Sequence, residues 1–245
     1  MLGQQAAACA PMRSMQTLHV QHLPTRQQNL VSILILIASP ILNLFVNSLL
    51  NSEFHKISLR GAHESGFFTW VFGASSFLLG CVLFLLGINL FHALLAHHQR
   101  HARKSLFAFG LFSTLYLILN LLTVSYGIFK FEMQSFYLLV VSICVYISLN
   151  IIFLFWYWFI DYPTQVRKLH HPESGTEICF PHQAMGSLPN IFNYLYFAVL
   201  TSNTLGPPED HSPAGQNARV VLLVHSSLML VVLVIFVSRA INTLA

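Results

Sequence analysis

Between Pro189 and Asn242 the sequence sets Thr201, Thr204, Leu205 and Gly206 at the end of a short apolar run. An acidic, proline-rich turn with Pro207, Pro208, Glu209 and Asp210 follows, and then a full-length apolar run. That order is the plan of a re-entrant pore loop, and its chemistry would be the transfer of an ion out of water rather than the making of a bond. The run from Asn190 to Leu205 is about 15 helical residues, or about 22 Å, against a hydrocarbon core of roughly 30 Å. It can enter a bilayer but hardly cross it. Thr204 to Pro213 contains three prolines, one glycine and two acids, so it cannot continue as a lipid-facing helix. Non-helical backbone at membrane depth is tolerated only where protein buries it or where it lines a watery cavity.

The other groups with chemical potential are single polar residues inside apolar runs: Asn120, Asn150 and His225. A buried amide in hydrocarbon must find a partner, so both asparagines are expected to face protein and to hydrogen-bond between helices. His225 reads first as a packing or hydrogen-bonding residue and second as a proton sensor. His97 and His101 share a helical spacing, and His170, His171 and Glu173 are close in sequence, but polar loops at a membrane surface explain both groups, and no metal site is assigned. HExxH and GxSxG are absent and Asp161 stands at the edge of an apolar run, so no catalytic residue, no enzyme activity and no cofactor is expected. The cysteines Cys9, Cys81, Cys144 and Cys179 are scattered without CxxC spacing, which gives neither a disulfide framework nor a zinc site.

The elements that must position these residues are set by composition. With 55% hydrophobic and 8% charged residues, the chain is too apolar for a soluble globule, whose charged share is about 25%. Its partner is the lipid bilayer. The net charge of +4 sits in short loops beside apolar runs, where it orients the protein, and nucleic acid is not an expected partner. The predicted fold is all-α: a polytopic membrane helical bundle with five transmembrane helices and one short re-entrant pore-like helix. Residues 1–28 read as a disordered tail and 29–161 as a four-helix bundle with spans near Leu30–Leu50, Phe67–Leu95, Leu106–Phe129 and Phe136–Ile160. The third and fourth spans form a hairpin turning at Lys130 to Gln134. The sequence FWYWFID, ending at Asp161, reads as an aromatic belt and a membrane boundary. Residues 162–188 form a polar connector, and 189–245 hold the short helix, the turn and the final span from Ala218 to Thr243.

Leu195-Tyr196-Phe197, Thr201-Ser202-Asn203-Thr204-Leu205-Gly206, the turn with Asp210 and the helix led by Arg219 resemble the pore helix, filter and inner helix of the tetrameric potassium-channel superfamily. The chain is also similar to uncharacterised bacterial membrane proteins with four leading helices and a channel-like C-terminal half. The resemblance implies that the Thr201 and Thr204 hydroxyls and the carbonyls of Thr204, Leu205 and Gly206 line a pore, replacing an ion's hydration shell. It further implies a homo-oligomer, a tetramer if channel-like, an inorganic cation as the permeant species, and residence in the plasma membrane, the inner membrane of a bacterium. Where that family has Thr-Val-Gly-Tyr-Gly-Asp, this chain has Thr204-Leu205-Gly206-Pro207-Pro208-Glu209. The prolines fix φ near −65° where a potassium filter needs a glycine's freedom, so the selectivity is left open. Glu209 and Asp210 read equally as a ring of charge at a pore mouth or as a solvated turn.

The distribution of basic residues puts the entrance of the short helix on the cytoplasmic side, whereas the resemblance puts it outside, and the sequence leaves the orientation open. Reading Ile191 to Leu205 as a sixth, short span is the alternative topology. The alternative function is a small-solute transporter or carrier using Asn120, Asn150 and His225 within a single bundle.

Overall fold

The computed structural model describes residues 38, 40–50, 52, 63–95, 99–130, 135–171, 173–180, 188–207 and 211–244, most of them helical. The helices are α1 (Pro40–Leu50), α2 (His63–Leu95), α3 (Gln99–Lys130), α4 (Ser135–His170), α5 (Ile191–Thr204) and α6 (Gln216–Leu244). The two-residue strands β1 (Ile178–Cys179) and β2 (Ser212–Pro213) lie on either side of α5 in sequence. Arg103–Tyr126, Leu139–His170 and Gln216–Val237 are long and apolar enough to cross a membrane, while α1 and Gly73–Asn89 of α2 are shorter apolar stretches. This is a helical membrane protein with three helices of spanning length among the described residues. The tail 1–28, the start of the first expected span, the 131–134 turn and His97 lie outside the described residues.

The chain divides into two units, one holding residues 35–152 and 232–245 and the other built around 153–231. In the first, α2 packs along α3, and Leu44 of α1 lies beside Gly80 of α2, where an added Cβ would stand 3.4 Å from Leu44 Cδ2. Asn120 Nδ2 donates to the Asn43 carbonyl at 3.1 Å and to its side-chain oxygen at 3.3 Å, tying α3 to α1 through fully buried amides. Asn150 Nδ2 donates within its own helix, to the Tyr146 carbonyl at 2.9 Å. Phe77, Phe84 and Leu85 on α2 are exposed, as suits an exterior that meets hydrocarbon rather than water.

In the second unit, α4 runs on past the expected boundary at Ile160–Asp161 to His170, with Pro163 inside it. Proline deprives the Phe159 carbonyl of its donor, yet the helix continues, and the first third of the expected connector is helical. The rest of that connector is not featureless. Ile178 pairs with Pro213 and Cys179 with Ser212 in an antiparallel bridge, and Cys179 is disulfide-bonded, a link that the scattered cysteine spacing did not disclose; Cys81 and Cys144 are free.

α5 begins where its sequence says it should. The Asn190 side chain accepts from Asn193 N at 3.0 Å, satisfying one of the orphan donors of the first turn. α6 starts after a glycine and has no such side chain of its own. Glu177, next to β1, reaches across instead: its Oε2 accepts from Ala218 N at 3.2 Å and its Oε1 from Asn217 Nδ2 at 2.9 Å. A carboxylate at a helix N-terminus satisfies free N–H groups and complements the helix dipole. The Glu177 carbonyl also accepts from Ala214 N at 2.8 Å and Gly215 N at 3.0 Å.

This arrangement requires Gly215, because a Cβ there would fall on the Glu177 carboxylate. Gly215→Ala should therefore expel the carboxylate and destabilise the protein by about 1 kcal/mol, the usual worth of an N-cap. Gly175→Ala, where a Cβ would meet nothing within 4 Å, should leave the detergent-solubilised melting midpoint unchanged.

Candidate functional site

One face of α4 carries Phe153, Tyr157, Asp161 and Gln165, four residues apart, and all four are buried. Against that face lies the inward face of α5, formed by Tyr194, Phe197, Ala198, Thr201 and Ser202 at helical spacing. α6 contributes His225, also fully buried. Two polar knots result.

The first is centred on Asp161, which the sequence presents as an edge charge and the structure buries completely. Its Oδ1 accepts from Ile178 N at 2.8 Å, and its Oδ2 accepts from Tyr194 OH at 2.8 Å and Gln165 Nε2 at 3.0 Å. The Thr164 hydroxyl stands 3.3 Å from Oδ1 but lies closer, at 2.7 Å, to the Asp161 carbonyl. Gln165 Nε2 also donates to the Ile178 carbonyl at 2.9 Å. One carboxylate thus joins α4, β1 and α5, and it is covered because β1 and α5 come to it from 17 and 33 residues away. A carboxylate oxygen only accepts, so Tyr194 OH is the donor in that bond.

The second knot is centred on His225. Its Nε2 lies 2.9 Å from Ser202 Oγ on α5 and its Nδ1 lies 3.1 Å from Tyr157 OH on α4. The imidazole stacks on Phe153 with ring centroids 4.1 Å apart and planes 6° from parallel. Both ring nitrogens are engaged, as a buried imidazole needs. Tyr157 packs edge-on against Phe197 of α5 at 4.8 Å. Thr201 Oγ1 is buried beside Tyr157 but makes no hydrogen bond of good geometry.

The residues expected to line a pore therefore separate. Thr201 faces inward, toward Tyr157, while Thr204 and Leu205 are exposed at the end of α5. The Thr204 hydroxyl lies 2.8 Å from both the Leu200 and the Gly206 carbonyl. Leu205 has φ 54° and ψ 24° and is the non-glycine residue with positive φ among those described. A left-handed conformation costs a side-chain-bearing residue roughly 1–2 kcal/mol, and such strain collects at functional sites. Glu209 and Asp210 lie outside the described residues, and among those described no cluster of metal-ligating side chains is present.

The hydrogen-bonding role expected of His225 is the one it has, whereas sequence reasoning did not single out the cluster of Asp161, Tyr157, Gln165, Tyr194 and Glu177. The four-residue spacing of Phe153, Tyr157, Asp161 and Gln165, which puts three polar groups on one face of an otherwise apolar helix, is the signal that carries most of that knot. No family model, curated protein or solved structure matches the chain.

His225→Phe would keep the stack on Phe153 and remove the imidazole's hydrogen bonds to the Ser202 and Tyr157 hydroxyls. We expect a loss of about 1–2 kcal/mol, the upper range for hydrogen bonds between membrane helices. Ser202→Ala should cost less in that background than it does alone, because the Ser202–His225 bond is already gone. Thermal unfolding in detergent reads both; additive losses would separate Ser202 from His225.

Proposed function

We propose that α5 and the segment returning from it form a re-entrant hairpin, and that several copies of the chain arrange their Thr204–Gly206 tips around a shared path for a cation. The observation that carries this reading is the pair of levels at which α5 is held. Near its start, Tyr194 bonds to Asp161, at the level of β1. Near its end, Ser202 meets His225, nine residues into α6 from Gln216, or about 13.5 Å along the helix. The chain then reaches β2, which pairs with β1. Seven residues, 205 to 211, are enough for that return, since an extended chain spans up to about 23 Å in that length. A helix of 14 residues, about 21 Å long, thus descends beside α6, and the chain comes back to the end from which it started.

Three further features favour a cation path at the tip. The last carbonyls of α5 bring the negative end of its dipole to the tip. The tip carries the strained Leu205 and is exposed in a single chain. Backbone groups left open at membrane depth must be covered by protein or line water, which is the reason for invoking more than one copy. The polar groups a carrier would use are engaged elsewhere: Asn120 with Asn43, Asn150 with Tyr146, and His225 with Ser202 and Tyr157.

Purified protein in proteoliposomes should be oligomeric by native mass measurement and should pass monovalent cations. Gly206→Val, which crowds the tip, should lower that flux roughly tenfold or more, the effect of about 1.4 kcal/mol on a barrier. Thr204→Ala should alter selectivity among cations. A monomer without cation flux would overturn the reading.

A further inference from the structure

We propose that Asp161 is the positioning residue of the hairpin, setting the depth of α5 through Tyr194 while fixing the return segment through β1. This rests on the pore reading above. Asp161 lies in α4, outside the segment that would touch an ion. It nevertheless holds both limbs of that segment, since Tyr194 OH and Ile178 N are each 2.8 Å from its carboxylate and β1 pairs with β2 on the returning limb. The alternative anchor for α5, the Ser202–His225 contact, lies two turns further along and constrains one limb alone. Glu177 holds the return at the N-terminus of α6.

The donors around the carboxylate explain why an aspartate is required. Ile178 N is a backbone donor and cannot turn. Gln165 Nε2 serves Asp161 and the Ile178 carbonyl together, so flipping its amide to accept would give up the second bond. Asparagine at 161 would keep its oxygen toward Ile178 and turn its amino group on Tyr194 and Gln165. The Tyr194 hydroxyl would then have to rotate from donor to acceptor, with its proton directed into a buried aromatic environment that includes Phe180, whose ring lies edge-on 5.3 Å away. Hydrogen bonds to charged groups are the strong ones, and this substitution turns one into a mismatch. Tyr194→Phe breaks the same link from the other side.

The test uses the full chain in proteoliposomes, with Cys81 replaced by serine because it is exposed and with Thr204→Cys as a reporter. Two quantities are read: the rate at which a water-soluble methanethiosulfonate modifies position 204, and the permeability ratio between potassium and sodium. Asp161→Asn and Tyr194→Phe should each change the modification rate about fivefold or more and shift the permeability ratio. The double variant should match the larger single effect, because one link is cut in all three. Native mass and melting midpoint confirm which variants stay assembled; if Asp161→Asn does not, Tyr194→Phe alone decides. Unchanged rates and ratios in folded variants would overturn the positioning role, as would additive effects in the double variant. Complete protection of position 204 in the otherwise unaltered chain would instead overturn the pore reading itself.

Discussion

The buried carboxylate of Asp161 is the constraint on which the second unit depends. A charge taken out of water is costly unless its oxygens are fully occupied, and here the occupants come from three elements: Gln165 on its own helix, Ile178 in β1 and Tyr194 in α5. Meeting that demand brings a distant loop and a distant helix to one point on α4. The bridge between β1 and β2 then carries the constraint to the far side of α5, and Glu177, beside β1, carries it to the start of α6. Removing any one of these contacts leaves the others in place, but removing the carboxylate unties several at once.

Below that knot the unit is held by His225, whose two ring nitrogens face α5 and α4. The inner face of α5 is therefore fixed near both ends. The Thr204 hydroxyl lies against the Leu200 and Gly206 carbonyls, and Leu205 adopts a left-handed backbone. A tightly anchored helix leading into a strained, exposed tip is the division of labour expected where a rigid frame presents a few backbone groups to something outside the chain.

Local signals made much of this legible in the sequence. The expected limits of the short helix, Asn190 and Leu205, are its N-cap and C-cap, because an asparagine cap, an apolar run and a following Gly-Pro-Pro are written within twenty residues. The final helix and the third span were equally clear from length and apolarity. What stayed hidden has one physical cause. Asp161 stands at the edge of an apolar run when read along the chain, but Tyr157 and Asp161 are buried by elements that arrive from elsewhere. Nothing adjacent in sequence to Glu177 shows that it caps α6, and two-residue strands are too short to leave a pattern. Thr201 and Thr204 looked alike and lie on nearly the same side of the helix, yet Thr204 is its last residue and is exposed, whereas Thr201, a turn earlier, is buried beside Tyr157.

The most direct test of a hairpin held by Asp161 is the sidedness of its two limbs. Single cysteines at Leu188, just before α5, and at Ala214, just after β2, can be labelled in sealed vesicles by an impermeant thiol reagent, with Cys81 replaced to remove the exposed native thiol. A hairpin predicts that both positions react from the same side of the membrane. Reaction from opposite sides would mean that α5 crosses the bilayer as a short span of its own, and would contradict the account.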